Sequence, residues 1–156
     1  MPSKKSLIVT RLFEPLILGG VTFAKEPARI GVDVIDCSSG GIGKPYEHPD
    51  GYGYQVPYAK QIKREVGIST MAVGLVVDPF QAETIVASGQ ADLVAIGQQA
   101  LRAPNFALRA QQALGAVNPQ APFSHWAIQI GWWLNGREKK IRQLGPWSSA
   151  AAEGSA

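Results

Sequence analysis

Three short apolar runs, "VDVIDCSS" (32–39), "STMAVGLVV" (69–77) and "ADLVAIG" (91–97), alternate with amphipathic segments, and this alternation constrains the fold most. The runs are buried-type strands with apolar residues on both faces. Strands of that kind with helices between them must lie parallel and be joined by right-handed crossovers. The intervening helices carry their own punctuation. Val56, Ala59, Ile62 and Val66 recur at helical spacing in "QVPYAKQIKREVGI", which stops at Gly67. Asp78 is a good N-cap, with Pro79 at the first helical position of "PFQAETIVASG", which ends at Gly89. Pro104 opens a further helix, "PNFALRAQQALG".

In α/β folds ligands gather at the carboxyl ends of the strands. Here those ends are "CSSGG", "AVGL" and "AIGQQ", and one face of the sheet carries all three. Gly74 and Gly97 put backbone N–H groups without side chains beside helix N-termini, an arrangement suited to phosphate. The same glycines serve equally well if they merely allow tight turns. Neither lies in a G-x-G-x-x-G or Walker pattern, so no dinucleotide or nucleoside triphosphate motif supports a Rossmann fold. Asp36, Cys37, Ser38 and Ser39 add polar groups at the neighbouring strand end. Cys37 has no base beside it in sequence and reads as a small buried residue rather than a nucleophile. His48 and His125 have no metal-ligand spacing to other His, Cys or acidic residues.

The remainder divides as follows. Residues 1–24 form an N-terminal β-hairpin segment in this reading, with two short β stretches in "LFEPLILGGVTFA" around a Gly19–Gly20 turn. Residues 25–120 hold the β/α units, beginning with "KEPARI", whose helical polarity is interrupted by Pro27. Within them "GGIGKPYEHPDGYGY" (40–54) has five glycines and two prolines and is a long loop. Residues 121–144 are a C-terminal helix carrying Trp126, Trp132 and Trp133, read as core or interface packing ahead of ligand stacking. Residues 145–156 are a small-residue tail expected to be disordered.

Composition narrows the function classes. A length of 156 residues allows one ordinary domain with its own core, and 46% hydrophobic residues is a globular fraction. The net charge of +3 lies largely at Lys4, Lys5 and in "GREKKIR" (136–142), so the core has no nucleic-acid footprint. The single cysteine excludes an internal disulfide and fits a reducing compartment. The N-terminal apolar run is broken by Arg11, Glu14 and Pro15, a poor signal peptide, and no stretch approaches the ~18 apolar residues of a membrane span. A cytoplasmic protein without membrane or nucleic-acid partners is the expectation.

Five segments then point to a family. "GVDVIDCSSGG", "GYQVPYAKQIKREVGI", "AVGLV", "AETIVASGQADLVAIGQQALRAPNF" and "PFSHW" resemble, in order, the C-terminal portion of the Old Yellow Enzyme family. The nearest branch is the bacterial, thermophilic-like NAD(P)H:flavin oxidoreductases. The opening "LFEPLILGGVTF" resembles the same family's N-terminus, so the likeness covers nearly all of residues 12–126. It implies a partial (β/α)8 barrel: the N-terminal segment joined near Val21–Lys25 to the last three β/α units, with the intervening strands lacking. It also implies FMN as cofactor, with hydride passing from NAD(P)H through FMN to the β-carbon of an activated alkene.

Residue by residue, the resemblance assigns Gly74, Leu75, Gly97 and Gln98 to backbone positions that cradle the FMN phosphate. Trp126 matches an aromatic that walls the substrate pocket in some members. The family's substrate-anchoring His pair and proton-donating Tyr have no counterpart here, so no catalytic residue carries over and the chain is expected to be incomplete as an enzyme. The family usually places Arg where this chain has Gln98, and Arg102, one helical turn on, is a candidate substitute. The alternatives are a non-catalytic, self-associating α/β module, whose exposed sheet edges invite a second copy or a partner, and a small doubly wound phosphate-binding protein.

Overall fold

In a computed structural model of the chain, residues 8–12, 17–39 and 51–146 are described. The expectations for His48, for the 40–50 part of the loop and for residues 147–156 of the tail lie outside them. Two compact units divide after Phe106.

The first unit is a parallel α/β layer of the kind the alternating pattern demands. Its strands are β1 (Ile8–Leu12), β2 (Val34–Ser39), β3 (Ser69–Ala72) and β4 (Leu93–Val94). They form one sheet in the order β1-β2-β3-β4, every pair parallel, with Ile8 opposite Ile35, Val34 opposite Ser69 and Met71 opposite Leu93. Each strand neighbours the next in sequence, as in a segment of a (β/α)8 barrel. A doubly wound sheet would reverse its order at a switch point, and this one does not.

The N-terminal reading needs correction. Ile17–Arg29 is a helix, α1, running through Gly19 and Gly20, so there is no hairpin, and β1 pairs parallel with β2. Val21, Ala24 and Ala28 fall at i, i+3 and i+7 and pack in or against the core, with Gly20 and Pro27 buried alongside. Burial of that stripe outweighs the local preference of paired glycines for a turn. The true stop is Gly31 (φ 82°): its N–H donates to the Ala28 carbonyl and that of Val32 to the Pro27 carbonyl, a Schellman closure.

The other helices follow their local chemistry. In α2 (Val56–Val66), Val56, Ala59 and Ile62 are buried, and Gly67 closes the helix with φ 74°, donating to the Lys63 carbonyl. In α3 (Pro79–Ala87) the Asp78 carboxylate accepts from the N–H groups of Phe80 and Gln81. The core lies on one face of the sheet, where Ile35, Cys37 and Ala72 meet Val21, Ala24, Ile62 and Ile85.

Asp92 ties three elements together at the start of β4. One carboxylate oxygen accepts from Lys63 Nζ of α2 at 2.9 Å, the other from the Thr70 N–H of β3 at 2.9 Å. These bonds, the lysine first, hold its pKa below the ordinary carboxylate value. A depressed carboxylate stabilises the fold above its unfolded-state pKa, and that contribution disappears as pH falls through the folded value. Asp92→Ala is therefore expected to cost about 1–2 kcal/mol at neutral pH, the group being partly solvated. In urea denaturation the difference from wild type should shrink as pH falls below the ordinary carboxylate range and through the lowered folded-state value.

The second unit holds most of α5 (Phe106–Ala113) and all of α6 (Ile128–Leu144). The connecting loop is pinned by Gln112 Nε2 donating to the Pro122 carbonyl, Arg142 Nη2 to the Pro119 carbonyl, and the Phe123 N–H to Asn135 Oδ1. That last bond runs the chain back along α6, with the Phe123 carbonyl against Gly131, where a Cβ would collide. The expected helix over 121–144 accordingly starts only at Ile128, and Trp126 lies in the preceding turn.

Candidate functional site

Because β3 and β4 are parallel neighbours, both carboxyl ends lie at the same end of the sheet. This brings Gly74 and Leu75, after β3, to the same edge as Gly97 and Gln98, after β4. The two turns differ in what holds them.

At the β3 end the backbone takes a left-handed course through Gly74 (φ 106°) and Leu75 (φ 48°), which ends the expected strand at Ala72 rather than Val77. The chain supplies the partners. The Gly53 N–H donates to the Gly74 carbonyl at 2.8 Å, and Gln81 spans the turn, its amide donating to the Leu75 carbonyl while its Oε1 accepts from the Val77 N–H. A Cβ on Gly74 would lie 3.0 Å from Tyr54 Cε1 and 3.2 Å from Gln55 Cγ. Internal geometry alone explains this glycine.

Gly97 has no such explanation. Its φ of −86° is negative and a Cβ built on it meets nothing within 4 Å; only its ψ of −85° lies just outside the right-handed region that side-chain-bearing residues favour. It is the N-cap of α4 (Gln98–Arg102), whose Ala100 and Leu101 N–H groups return to the Gly97 carbonyl. First-turn N–H groups, here those of Gln98 and Gln99, have no intrahelical partner. The space beside Gly97 is open, with nothing within 4 Å of where its Cβ would lie. Gln98 and Arg102 are both exposed, so their side chains are accessible to an anion placed there.

Cys37, at the neighbouring strand end, is not poised as a nucleophile. It is fully buried on the helix-facing side, its thiol pushed up to about 12 by burial and then by the nearby Asp36 charge. Asp36, on the opposite face, is half-buried with its carboxyl raised by desolvation, and its Oδ1 accepts no hydrogen bond among the described residues. No group of three or more His, Cys, Asp or Glu among the described residues could hold a metal. No described helix is long and apolar enough to cross a membrane.

Trp126 belongs to the second unit, set edge-on against Phe123 at 5.7 Å, with its indole Nε1 buried and without a hydrogen-bond partner among the described residues. Trp132 and Trp133 pack edge-to-face on each other at 4.7 Å and are 67% and 70% exposed, so the core-packing reading does not hold for them. Sequence patterns missed Tyr54, Gln55 and Gln81, which build the β3 turn from outside it. Only the i+6 placement of Gln81 behind Leu75 hinted at this.

Fold and strand ends together define a sequentially wound parallel α/β unit with an open glycine turn at the carboxyl edge of its strands. Among curated proteins, the chain is similar to the NADPH dehydrogenase of Bacillus cytotoxicus, 47% identical over 96 residues, which cover 61% of this chain and 27% of that protein. It is also similar to NADPH dehydrogenases of Geobacillus thermodenitrificans (41% over 112 residues; 72% and 32% covered) and Bacillus subtilis (40% over 115 residues; 72% and 32% covered). The chain thus spans about a third or less of the length of these relatives. No protein-family model matches it.

Proposed function

We propose that this chain is the phosphate-binding part of an Old Yellow Enzyme-type, FMN-dependent NAD(P)H oxidoreductase, incomplete by itself as a catalyst. The observation that carries the reading is the open space over Gly97 at a strand end beside a helix start. Similarity to proteins named NADPH dehydrogenase supports the oxidoreductase class. In this reading the Gln98 and Gln99 N–H groups bind the phosphate of FMN, Gly74 and Leu75 shape the adjoining rim, and Arg102 supplies a positive charge. Bound FMN would supply a hydride relay from NAD(P)H to the β-carbon of an activated alkene. Trp126 is assigned to the substrate side and no residue to proton transfer. A cytoplasmic setting agrees with the single buried thiol.

The test is a titration of the purified chain with FMN and with riboflavin, which lacks the phosphate, followed by flavin fluorescence. FMN should bind far more tightly than riboflavin, and NADPH-dependent reduction of cyclohexenone should be absent. Equal affinity for the two flavins would sink the phosphate assignment, and turnover would sink the incompleteness. Gln98→Arg should tighten FMN by roughly tenfold, because charge-assisted bonds to phosphate are about twice as strong as neutral ones. Riboflavin binding should be unmoved by it.

A further inference from the structure

Among the described residues the two faces of the sheet are unequally buried. Ile35, Cys37, Thr70 and Ala72 are buried, the apolar ones among the helices. The alternate residues are a different set. Val34, Asp36, Ser38 and Met71 are half-buried, Ser69 is exposed, and Leu93 is 48% exposed. Asp36 Oδ1 on this face is withdrawn from solvent and accepts no hydrogen bond among the described residues. The sheet also ends openly: β1 and β4 each pair on one side only among the described residues. An unpaired strand edge presents a row of free N–H and C=O groups, a ready template for pairing with another chain.

The strand count says what closes them. Eight strands make a parallel barrel whose interior side chains just fill it, and the described residues contribute four in uninterrupted order, which is half. A twofold axis parallel to the strands keeps all eight running the same way. It sets β4 of each copy beside β1 of the other, so one repeated contact removes both edges at once. We propose that two copies of this chain close a single eight-stranded parallel barrel, with the Val34, Asp36, Met71 and Leu93 face as its interior. The ligand-binding rim is then complete only in the pair, with Gly97 of each copy on opposite sides of one mouth. This inference rests on strand order and not on flavin binding, so the two readings can fail separately.

Sedimentation equilibrium of the flavin-free chain tests it, with a dimer of twice the 16.7 kDa chain mass as the expected result. Leu93→Lys puts a charge at an already exposed position of one chain but inside the closed barrel. It should raise the dimer dissociation constant at least about tenfold with an unchanged far-UV spectrum. The Trp132→Ala, Trp133→Ala double variant should stay dimeric. A folded wild-type monomer, an open-ended series of oligomers, or a dimer lost with the tryptophans and kept in Leu93→Lys overturns the proposal. Should Leu93→Lys not fold, hydrogen exchange on the wild type decides. The β1 and β4 amides should gain protection as concentration rises through the dissociation constant, and unchanged protection there overturns the pairing.

Discussion

Gly74→Ala is expected to destabilise the first unit by about 2–6 kcal/mol. Two independent costs add at this position. The φ of 106° lies where an L side chain is strained by roughly 1–3 kcal/mol. The new Cβ would also press on Tyr54 Cε1 at 3.0 Å, Tyr54 Cδ1 at 3.1 Å and Gln55 Cγ at 3.2 Å. Neither neighbour yields easily, because Gln55 is 3% exposed and its amide donates to the Tyr54 hydroxyl at 2.8 Å. Overpacking of that kind adds roughly 1–3 kcal/mol. The control is Gly67→Ala, where φ is 74° but nothing lies within 4 Å, so only the backbone cost of about 1 kcal/mol applies. Urea denaturation of both variants measures the difference. A Gly74→Ala loss no larger than that of Gly67→Ala would mean that Tyr54 does not pack against the turn.

What could be read from the residues, and what could not, divides along the range of the interactions involved. The parallel pairing of β2, β3 and β4 was legible because apolar residues on both faces of a short run leave few other homes. The Asp78–Pro79 cap and the Gly67 stop are chemistry within one turn of chain, and both occur as expected. The Gly19–Gly20 pair misled because its environment is decided by distant residues that bury Val21 and Ala24. Trp126 fell outside α6 for a similar reason: the Phe123 N–H finds Asn135, twelve residues on, and turns the chain back. The site shows the same limit most clearly. By pattern alone Gly74 and Gly97 are equivalent strand-end glycines, and only the packing of Tyr54 and Gln55 against one of them tells them apart.

That distinction yields the second large effect. Gly97→Leu is expected to cost no more than about 1–2 kcal/mol of stability, because φ is negative and a Cβ meets nothing, leaving the ψ of −85° as the one strained torsion. FMN affinity should fall by about two orders of magnitude or more. The side chain would occupy the open space beside Gly97, and losing two bonds from the Gln98 and Gln99 N–H groups to a charged phosphate costs roughly 3–6 kcal/mol. Riboflavin binding should change little, since it never used those donors. The pair of variants therefore tests whether the same residue type at one sheet edge does two jobs, Gly74 chiefly holding the fold and Gly97, as proposed, leaving room for the phosphate. Should Gly97→Leu bind FMN as wild type does, the phosphate lies elsewhere, and the open turn at the end of β4 would need another anion or none. Should it unfold instead, the turn is packed more tightly than its surroundings imply, and the contrast with Gly74 fails with it.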